Sequence, residues 1–291
     1  MQPTEMSAMK PAAPTDSAAQ HSVEAKLTFI VPQEGVPYFE SAALTGGLPK
    51  IFFDTEQRTV TINDMRAVAN ELSLDGTGFE LRREPTAVVD LYDDAALDTA
   101  YTDELQGMLR RITGADEVVV FDYTRRSDGG EGAVNPDGVR GPADRVHVDY
   151  TVKSGPVRAR DALGKERFDS VIAAGGRVSQ VNVWRPIKGP VQRAPLALAD
   201  AMSIGTDELV KTEQRFPDRV GEIYQVAHAE SQRWYWAPEM ERDEVILIKG
   251  WDSLDDGRAR FTPHGAFTLP DSSQMPPRES IEARTFLVFE S

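Results

Sequence analysis

The sequence predicts a mainly β protein, a double-sheet jelly roll supported by a few helices. Seven short strand-like runs follow one another after residue 145, and irregular connections separate them. Strands do not alternate with helices of about 10–15 residues, a pattern that would indicate a doubly wound parallel sheet. Many short strands that follow a helix-containing segment are typical of a jelly roll.

The first half of the chain mixes helices with strands. Residues 1–24 contain Pro, Ser and Ala but no apolar segment, so we expect a disordered tail and not a secretory signal. Residues 27–31 predict the first strand, and residues 65–72 a short helix. Residues 98–111 predict an amphipathic helix because apolar residues recur at helical spacing. The polar residues 127–144 form a loop long enough to be a mobile flap.

The second half of the chain supplies the jelly roll. The expected strands are residues 146–152, 180–185, 222–226, 233–236, 244–248, 260–267 and 281–289, with helices at 157–163 and 206–212. No internal repeat divides the chain. We therefore predict one domain over residues 25–291, with a helix-containing part (25–144) before the jelly-roll core (145–291).

Composition excludes several classes of function. The net charge of −15 disfavours binding to nucleic acid or to anionic lipid. The absence of cysteine excludes disulfides, thiolate metal sites and cysteine nucleophiles. No apolar stretch approaches the roughly 18 residues that span a bilayer. We expect a cytoplasmic protein with a small-molecule partner, and the sequence leaves its oligomeric state open.

Two of the four histidines stand in a pattern that predicts an iron site. His147 and Asp149 are two residues apart in a strand-like run, so both side chains point to one face and can bind one ion. His264, from a distant strand-like run, would complete a set of two histidines and one carboxylate. This set leaves adjacent coordination positions open on Fe(II), as oxygen chemistry requires. His228 with Glu230 is a competing His-x-Glu pair.

A basic residue after His264 fits the cosubstrate of such an iron site. 2-Oxoglutarate chelates iron through its 1-carboxylate and keto group, and its distal carboxylate needs a cation that binds both oxygens. Arg278 can supply that guanidinium, and Ser280, two residues on, can donate a further hydrogen bond. Residues 270–277 would lead the chain from the sheet that bears His264 to the opposite sheet.

Several longer motifs resemble one group of Fe(II)/2-oxoglutarate-dependent oxygenases. The motifs are Asn182-Val-Trp-Arg-Pro-Ile187, Gly189-Pro-Val191, Pro195-Leu-Ala-Leu-Ala-Asp200, Arg233-Trp-Tyr-Trp236, Phe261-Thr-Pro-His264 and Pro277-Arg-Glu-Ser-Ile-Glu-Ala-Arg284. They are similar to those of fungal gibberellin desaturase and the cephamycin 7α-methoxylase small chain. The resemblance covers residue 145 to the C-terminus, and a weaker resemblance begins at residue 27.

The resemblance implies a double-stranded β-helix, the cupin-like form of the jelly roll. It implies that His147, Asp149 and His264 bind iron and that Arg278 binds 2-oxoglutarate. Arg284 is the rival for that last role, and it is otherwise a second carboxylate contact or a buried ion-pair partner. The resemblance also implies oxidative tailoring of small molecules, often in secondary metabolism.

Further candidates surround this site. Asn182 is a candidate donor to the 1-carboxylate of the cosubstrate. The side chains that we expect to wall or cover the substrate pocket are Tyr150, Trp184, His228, Trp234 and Trp236. Because Tyr235 alternates with the two neighbouring tryptophans, only one side of that run can face the cavity.

The sequence thus predicts a dioxygenase that uses Fe(II), 2-oxoglutarate and O2. It would hydroxylate or desaturate a small molecule after hydrogen abstraction by a ferryl species. One alternative is a cupin-like metalloenzyme that needs no 2-oxoglutarate, which would leave Arg278 unexplained. The other is a non-catalytic binding subunit of the same fold.

Overall fold

Two large β-sheets pack face to face in the computed structural model, which describes residues 22–46, 49–135 and 138–291. The strands are β1 (Val23–Ile30), β2 (Tyr38–Glu40), β3 (Lys50–Phe52), β4 (Thr55–Asp64), β5 (Phe79–Arg83), β6 (Glu117–Ser127), β7 (Ala133–Asn135), β8 (Gly138–Arg140), β9 (His147–Val148), β10 (Arg177–Lys188), β11 (Leu196–Ala199), β12 (Leu209–Arg215), β13 (Val220–Val226), β14 (Trp234–Trp236), β15 (Glu244–Asp252), β16 (His264–Ala266) and β17 (Glu279–Phe289).

The helices are short. They are α1 (Ala42–Thr45), α2 (Asp94–Ala96), α3 (Thr102–Thr113), α4 (Ser154–Leu163) and α5 (Lys165–Ala173), with a π-helical turn at Leu97–Tyr101 and 3-10 turns at Met65–Val68, Ala201–Ser203, Thr206–Glu208 and Ser272–Gln274. Among the described residues, no helix is long and apolar enough to cross a membrane.

The two sheets have different strand orders. The larger sheet runs β1-β4-β14-β11-β16-β9-β13-β12-β2-β3, and the smaller runs β5-β15-β10-β17-β6. Neighbouring strands are antiparallel except for the β4–β14 and β2–β12 pairs. Strands β7 and β8 form a separate hairpin. This arrangement agrees with the predicted jelly roll.

The space between the sheets is apolar at one end. Leu196 and Leu198 of the larger sheet pack with Trp184, Ile246 and Ile248 of the smaller sheet. These residues follow the two-residue period of a strand, so one side of each strand faces inward. Burial of their side chains holds the sheets together.

Helix α3 covers the outer face of the smaller sheet. In α3, Leu105 and Leu109 are fully buried against Val181 and Val183 of β10. The helix ends at Gly114, whose φ of 73° closes the last turn in the left-handed conformation that glycine adopts without strain. The predicted helical buttress is therefore present.

A second apolar cluster lies on the other face of the larger sheet, and β1, an edge strand of that sheet, contributes to it. Leu27 and Phe29 of β1 are fully buried in a cluster with Ala197, Trp234 and Trp236. Strand β1 pairs with β4 over its whole length. The N-terminal strand therefore belongs to the packed domain.

Some sequence predictions differ from the structure. The helix expected at residues 206–212 is a 3-10 turn followed by β12, whose Thr212 is fully buried. The helix expected at 65–72 is one 3-10 turn, begun by Asp64, whose side chain accepts from the backbone N–H of Arg66. Part of the expected flap at 127–144 is the hairpin β7–β8.

The predicted boundary of the tail also shifts. Residues 1–21 of the predicted tail lie outside the described residues, and Val23 and Glu24 already belong to β1. The expected strand at 146–152 is only two residues long, because the chain bends at Asp149 after β9.

We expect Leu27→Ala to lower the free energy of unfolding by about 2–5 kcal/mol, because it leaves a cavity in the cluster under β1. Urea unfolding of the purified protein measures this change. The matched control is Lys26→Ala, an exposed neighbour on the same strand, which should change the free energy of unfolding by less than about 0.5 kcal/mol. Equal effects of the two substitutions would contradict the packing of β1 on the larger sheet.

Candidate iron and cosubstrate site

His147 and His264 lie directly opposite each other on neighbouring strands. Strand β9 pairs with β16 at these two residues, and their ring centroids are 4.6 Å apart. His264 is also opposite Leu198, whose side chain faces the space between the sheets. Two strands far apart in the sequence therefore bring two imidazoles together inside the jelly roll.

Backbone carbonyls fix how each imidazole is oriented. The Nδ1 of His147 is 2.8 Å from the carbonyl oxygen of Arg145, and the Nδ1 of His264 is 3.0 Å from that of Thr262. A carbonyl only accepts, so each Nδ1 carries the proton and each Nε2 keeps a lone pair. Burial, and then the neighbouring His147, lower the pKa of His264, which keeps it neutral. Both rings are prepared to donate Nε2 to a cation.

Asp149 brings the third donor, from the bend after β9. Its Oδ1 is 3.6 Å from Nε2 of His147, and one ligand atom from each of Asp149, His147 and His264 lies within 4.8 Å of the others. Burial raises the pKa of this carboxyl, but Arg284 and then His147 outweigh that effect and hold the pKa well below its ordinary value. Asp149 is therefore ionised, as a metal ligand must be.

The second oxygen of Asp149 is held by hydrogen bonds. Its Oδ2 accepts from Nδ2 of Asn182 at 2.8 Å and from Nε of Arg284 at 3.3 Å. The Oδ1 of Asn182 in turn accepts from Gln180 at 2.5 Å. The structure thus gives Asn182 and Arg284 contacts to Asp149. For Asn182 the sequence suggested a contact to the cosubstrate, and for Arg284 a buried ion pair was one of the alternatives.

Carboxylates surround the guanidinium of Arg284. Its Nη1 is 2.6 Å from Asp122 and donates to the hydroxyl of Thr124 at 3.0 Å, and its Nη2 is 2.8 Å from Glu282. With Asp149, this makes three carboxylates around one cation, which raise the pKa of Arg284 well above its ordinary value despite its burial. Arg284 therefore has little capacity left for a carboxylate from outside.

Arg278, in contrast to Arg284, has no carboxylate partner for its guanidinium among the described residues. Its side chain is 3% exposed, and its described contacts include no carboxylate at ion-pair distance. The Nη1 donates to the carbonyl of Ala194 at 2.7 Å, the Nε has no partner, and the guanidinium lies over the Trp184 ring at 5.8 Å. Burial, and then repulsion by Arg126, lower the pKa of Arg278 to about 10, so it is still charged at neutral pH.

A small pocket connects the two histidines with Arg278. The residues that line it are Arg126, Ala143, His147, Trp184, Leu196, His264, Ala266, Arg278, Glu282 and Arg284. Ser280, the second residue of β17, is 1% exposed and stands two residues after Arg278, which directly precedes the strand. The sequence predictions missed Arg126 and Glu282. Glu282 could have been predicted, because it falls in the two-residue period that runs from Arg278 to Arg284. Arg126 lies opposite Ser280 on β6, a pairing between strands that the sequence does not show.

Four of the predicted pocket residues lie elsewhere. Trp234 and Trp236 lie in the apolar cluster that they share with Leu27 and Phe29 of β1, and His228 packs edge-on against Phe29. Tyr150 packs beside the cluster under α4 and α5. As predicted, Tyr235 and the two tryptophans of β14 face opposite sides of the sheet. Tyr235, and not a tryptophan, is the residue that faces Phe79 between the sheets. Of the five predicted residues, Trp184 lines the pocket described above.

The residues present fit iron and 2-oxoglutarate. Two imidazoles and one carboxylate form the donor set typical of oxygen-activating Fe(II) sites. The unpartnered Nε of buried Arg278 fits a carboxylate, because a buried charged donor without a partner costs free energy.

Comparisons with known proteins agree with this chemistry. A family model described as an oxidoreductase/YMDC permease-like domain matches residues 27–289. The hydroxylase/desaturase CTB9 of Cercospora beticola is 34% identical over 255 residues, which cover 81% of this chain and 78% of the relative. The alpha-ketoglutarate-dependent dioxygenase phiK of a fungal species is 31% identical over 242 residues, which cover 80% of this chain and 84% of the relative.

A solved structure extends the agreement to the fold. The iron and alpha-ketoglutarate-dependent endoperoxidase NvfI matches with a TM-score of 0.81 at 26% identity, over 93% of this chain and 98% of that chain. The match includes both sheets and confirms the predicted fold class. The finer likeness to gibberellin desaturase and to the methoxylase small chain stays a prediction from the motifs.

We expect Arg284→Met to lower the free energy of unfolding of the metal-free protein by about 3–5 kcal/mol near neutral pH, because it leaves buried carboxylates without a counter-charge. The pKa of Asp149 is lowered in the folded state, so the stabilisation is complete above the ordinary pKa and is lost as pH falls through the lowered value. The difference between wild type and variant should therefore shrink in acid.

Urea unfolding at several pH values measures this difference. Arg83→Met, which removes an arginine that is 80% exposed, is the control and should have little effect at any pH. A loss of stability in Arg284→Met that does not depend on pH would show that packing, and not charge, is what the arginine provides.

Proposed function

The chain belongs to a family of Fe(II)/2-oxoglutarate-dependent hydroxylases and desaturases, and we propose that His147, Asp149 and His264 bind its iron. The observation that carries this proposal is the convergence of three donor atoms within 4.8 Å beside a buried, unpartnered guanidinium nitrogen. Iron(II) bound there, together with 2-oxoglutarate and O2, supplies the oxidising chemistry that removes hydrogen from a C–H bond.

The protein's share of the reaction is to position groups and to exclude water. The carbonyls of Arg145 and Thr262 orient the two imidazoles, and Asn182 and Arg284 orient Asp149. Such outer contacts fix the tautomer and direction of ligands and so strengthen metal binding. Because they are in place before a cofactor binds, the ligands need little rearrangement.

Arg278 is the proposed receptor for the distal carboxylate of 2-oxoglutarate. Its guanidinium is buried, charged and without a carboxylate partner, whereas Arg284 already has three. The carbonyl of Ala194 and the ring of Trp184 hold it in position. Ser280, two residues after Arg278, is the proposed second donor. These contacts favour Arg278 over its rival.

The substrate is a small molecule in this proposal. Trp184, Leu196 and Ala266 give the pocket apolar walls beside the proposed iron ligands. Relatives named hydroxylase/desaturase support hydroxylation or desaturation, and we place the substrate among secondary metabolites. Absence of nucleic-acid and membrane partners and a cytoplasmic location remain predictions from the acidic composition.

Anaerobic titration tests the proposed cofactor pair. Metal-free protein receives Fe(II) and then 2-oxoglutarate, and a weak visible absorption band should appear only after both additions. His264→Ala and Asp149→Ala should lose this band and turnover, because each removes a ligand. His228→Ala is the matched control: this histidine packs on Phe29, so the band should persist.

Two outcomes would redirect the interpretation. Iron binding without the band would favour a cupin-like enzyme that needs no 2-oxoglutarate, and no iron binding would favour a binding subunit. A band that survives in Asp149→Ala but is lost in His228→Ala would mean that His228 belongs to the iron site in place of the proposed triad.

Arg278→Gln should raise the 2-oxoglutarate concentration needed for half-maximal band intensity by about tenfold or more, because it removes the cation that binds the distal carboxylate. Iron affinity without 2-oxoglutarate should stay within about twofold of wild type, since Arg278 touches none of the three ligands. If Arg284→Gln raises the requirement for 2-oxoglutarate and Arg278→Gln does not, the rival arginine is the receptor.

A further inference from the structure

Three arginines line the pocket, and two of them are accounted for. Arg284 is neutralised by the three carboxylates around it, and Arg278 faces the cosubstrate in the proposed function. Arg126 remains. Among the described residues no carboxylate stands at ion-pair distance from it, and its described hydrogen bond goes from Nη1 to the carbonyl of Gly141 at 3.0 Å.

Arg126 stands close to the proposed receptor of the cosubstrate. Strand β6 places it opposite Ser280, two residues beyond Arg278. The two guanidinium groups repel each other, and this repulsion adds to burial in lowering the pKa of Arg278. Burial also lowers the pKa of Arg126, although Glu282 acts in the opposite direction. Two positive charges therefore share one small, partly dry pocket.

The nearest acidic side chain acts on Arg126 only through space. Glu282 lines the same pocket, but its Oε1 is 2.8 Å from Nη2 of Arg284, and no described carboxylate is within ion-pair distance of Arg126. The N–H groups of Arg126 that face the pocket can therefore donate to a carboxylate of a ligand. Arg126 is only partly buried, so a ligand in the pocket can reach it.

Iron and 2-oxoglutarate do not supply a carboxylate to Arg126. In the proposed function the two carboxylates of 2-oxoglutarate are already assigned, one to the metal and one to Arg278. Loading the site therefore leaves the guanidinium of Arg126 without a carboxylate at ion-pair distance. The remaining component of the reaction is the substrate.

We propose that Arg126 binds a carboxylate of the substrate, so that the enzyme acts on small carboxylic acids with an apolar body. A guanidinium binds both oxygens of a carboxylate in one plane, which fixes the orientation of the acid as well as its charge. Trp184, Leu196 and Ala266 then contact the apolar part, beside the iron ligands. This inference rests on the proposed function, because it assumes that Arg278 holds 2-oxoglutarate.

Pairs of acids and amides provide the probes. Aliphatic and aromatic carboxylic acids of increasing size, from acetate to octanoate and from benzoate to naphthoate, are titrated into the anaerobic Fe(II)/2-oxoglutarate protein together with their primary amides. The readouts are the change in the visible band and the dissociation constant from calorimetry. We expect at least one acid to bind about tenfold or more tightly than its amide.

Variants show which residue is responsible for the preference for acid over amide. Arg126→Gln should abolish the preference for acid over amide while raising the 2-oxoglutarate requirement far less than Arg278→Gln does. Arg126→Lys, which keeps the charge, should retain part of the preference and guards against misfolding of the first variant. Arg140→Gln is the matched control, because it removes a nearby positive charge that does not line the pocket.

The possible failures are distinguishable. If wild-type protein shows no band before any probe is added, the proposed function fails. If the band is normal but acids bind no better than amides, or neither binds, only the substrate inference is overturned. If Arg126→Gln raises the 2-oxoglutarate requirement as much as Arg278→Gln does, Arg126 belongs to the cosubstrate and the inference is wrong.

Discussion

A carboxylate that binds a metal inside a protein must stay ionised although it is largely removed from water, and this constraint organises the whole site. Arg284 meets it by bringing a buried cation to Asp149. The arginine belongs to the smaller sheet, whereas Asp149 follows a strand of the larger one. One ion pair therefore sets the charge state of the site and also fastens the two sheets together. The carboxylates of Asp122 and Glu282 then keep Arg284 from being an unpaired charge itself.

The inner face of the smaller sheet changes character across its width. Strands β5 and β15 present Phe79, Ile246 and Ile248, which pack against the larger sheet, while β17 and β6 present arginines and acids. Trp184 on β10 stands at the boundary and contacts both halves. The apolar half packs the two sheets together, and the polar half lines the pocket of the candidate site. The residues that stabilise the fold and those proposed for binding are thus separate parts of one layer of side chains.

The proposed iron ligands and the proposed receptor of the cosubstrate could be picked out in the sequence, whereas the residues that hold them in position could not. His147 and Asp149 are two residues apart, and Arg278 follows a turn between two strands, so local spacing was enough for them. The role of Arg284 depends on which side chain the opposite sheet brings to it, and no local pattern contains that information. Likewise, alternation predicted that Tyr235 and its neighbouring tryptophans face opposite sides, but not that the tryptophans would share an apolar cluster with residues of β1.

The hydrogen bonds to Oδ2 of Asp149 have a consequence for how many ligands the protein itself can contribute. With Asn182 and Arg284 both directed at that oxygen, the carboxylate has only Oδ1 to offer a cation. A carboxylate with both oxygens free can chelate, and it would then fill a coordination position that small molecules need. Because Oδ2 is occupied, Asp149 can bind the proposed iron through one oxygen only. The coordination positions that small molecules need thus stay open because Asn182 and Arg284 keep this second oxygen from the metal.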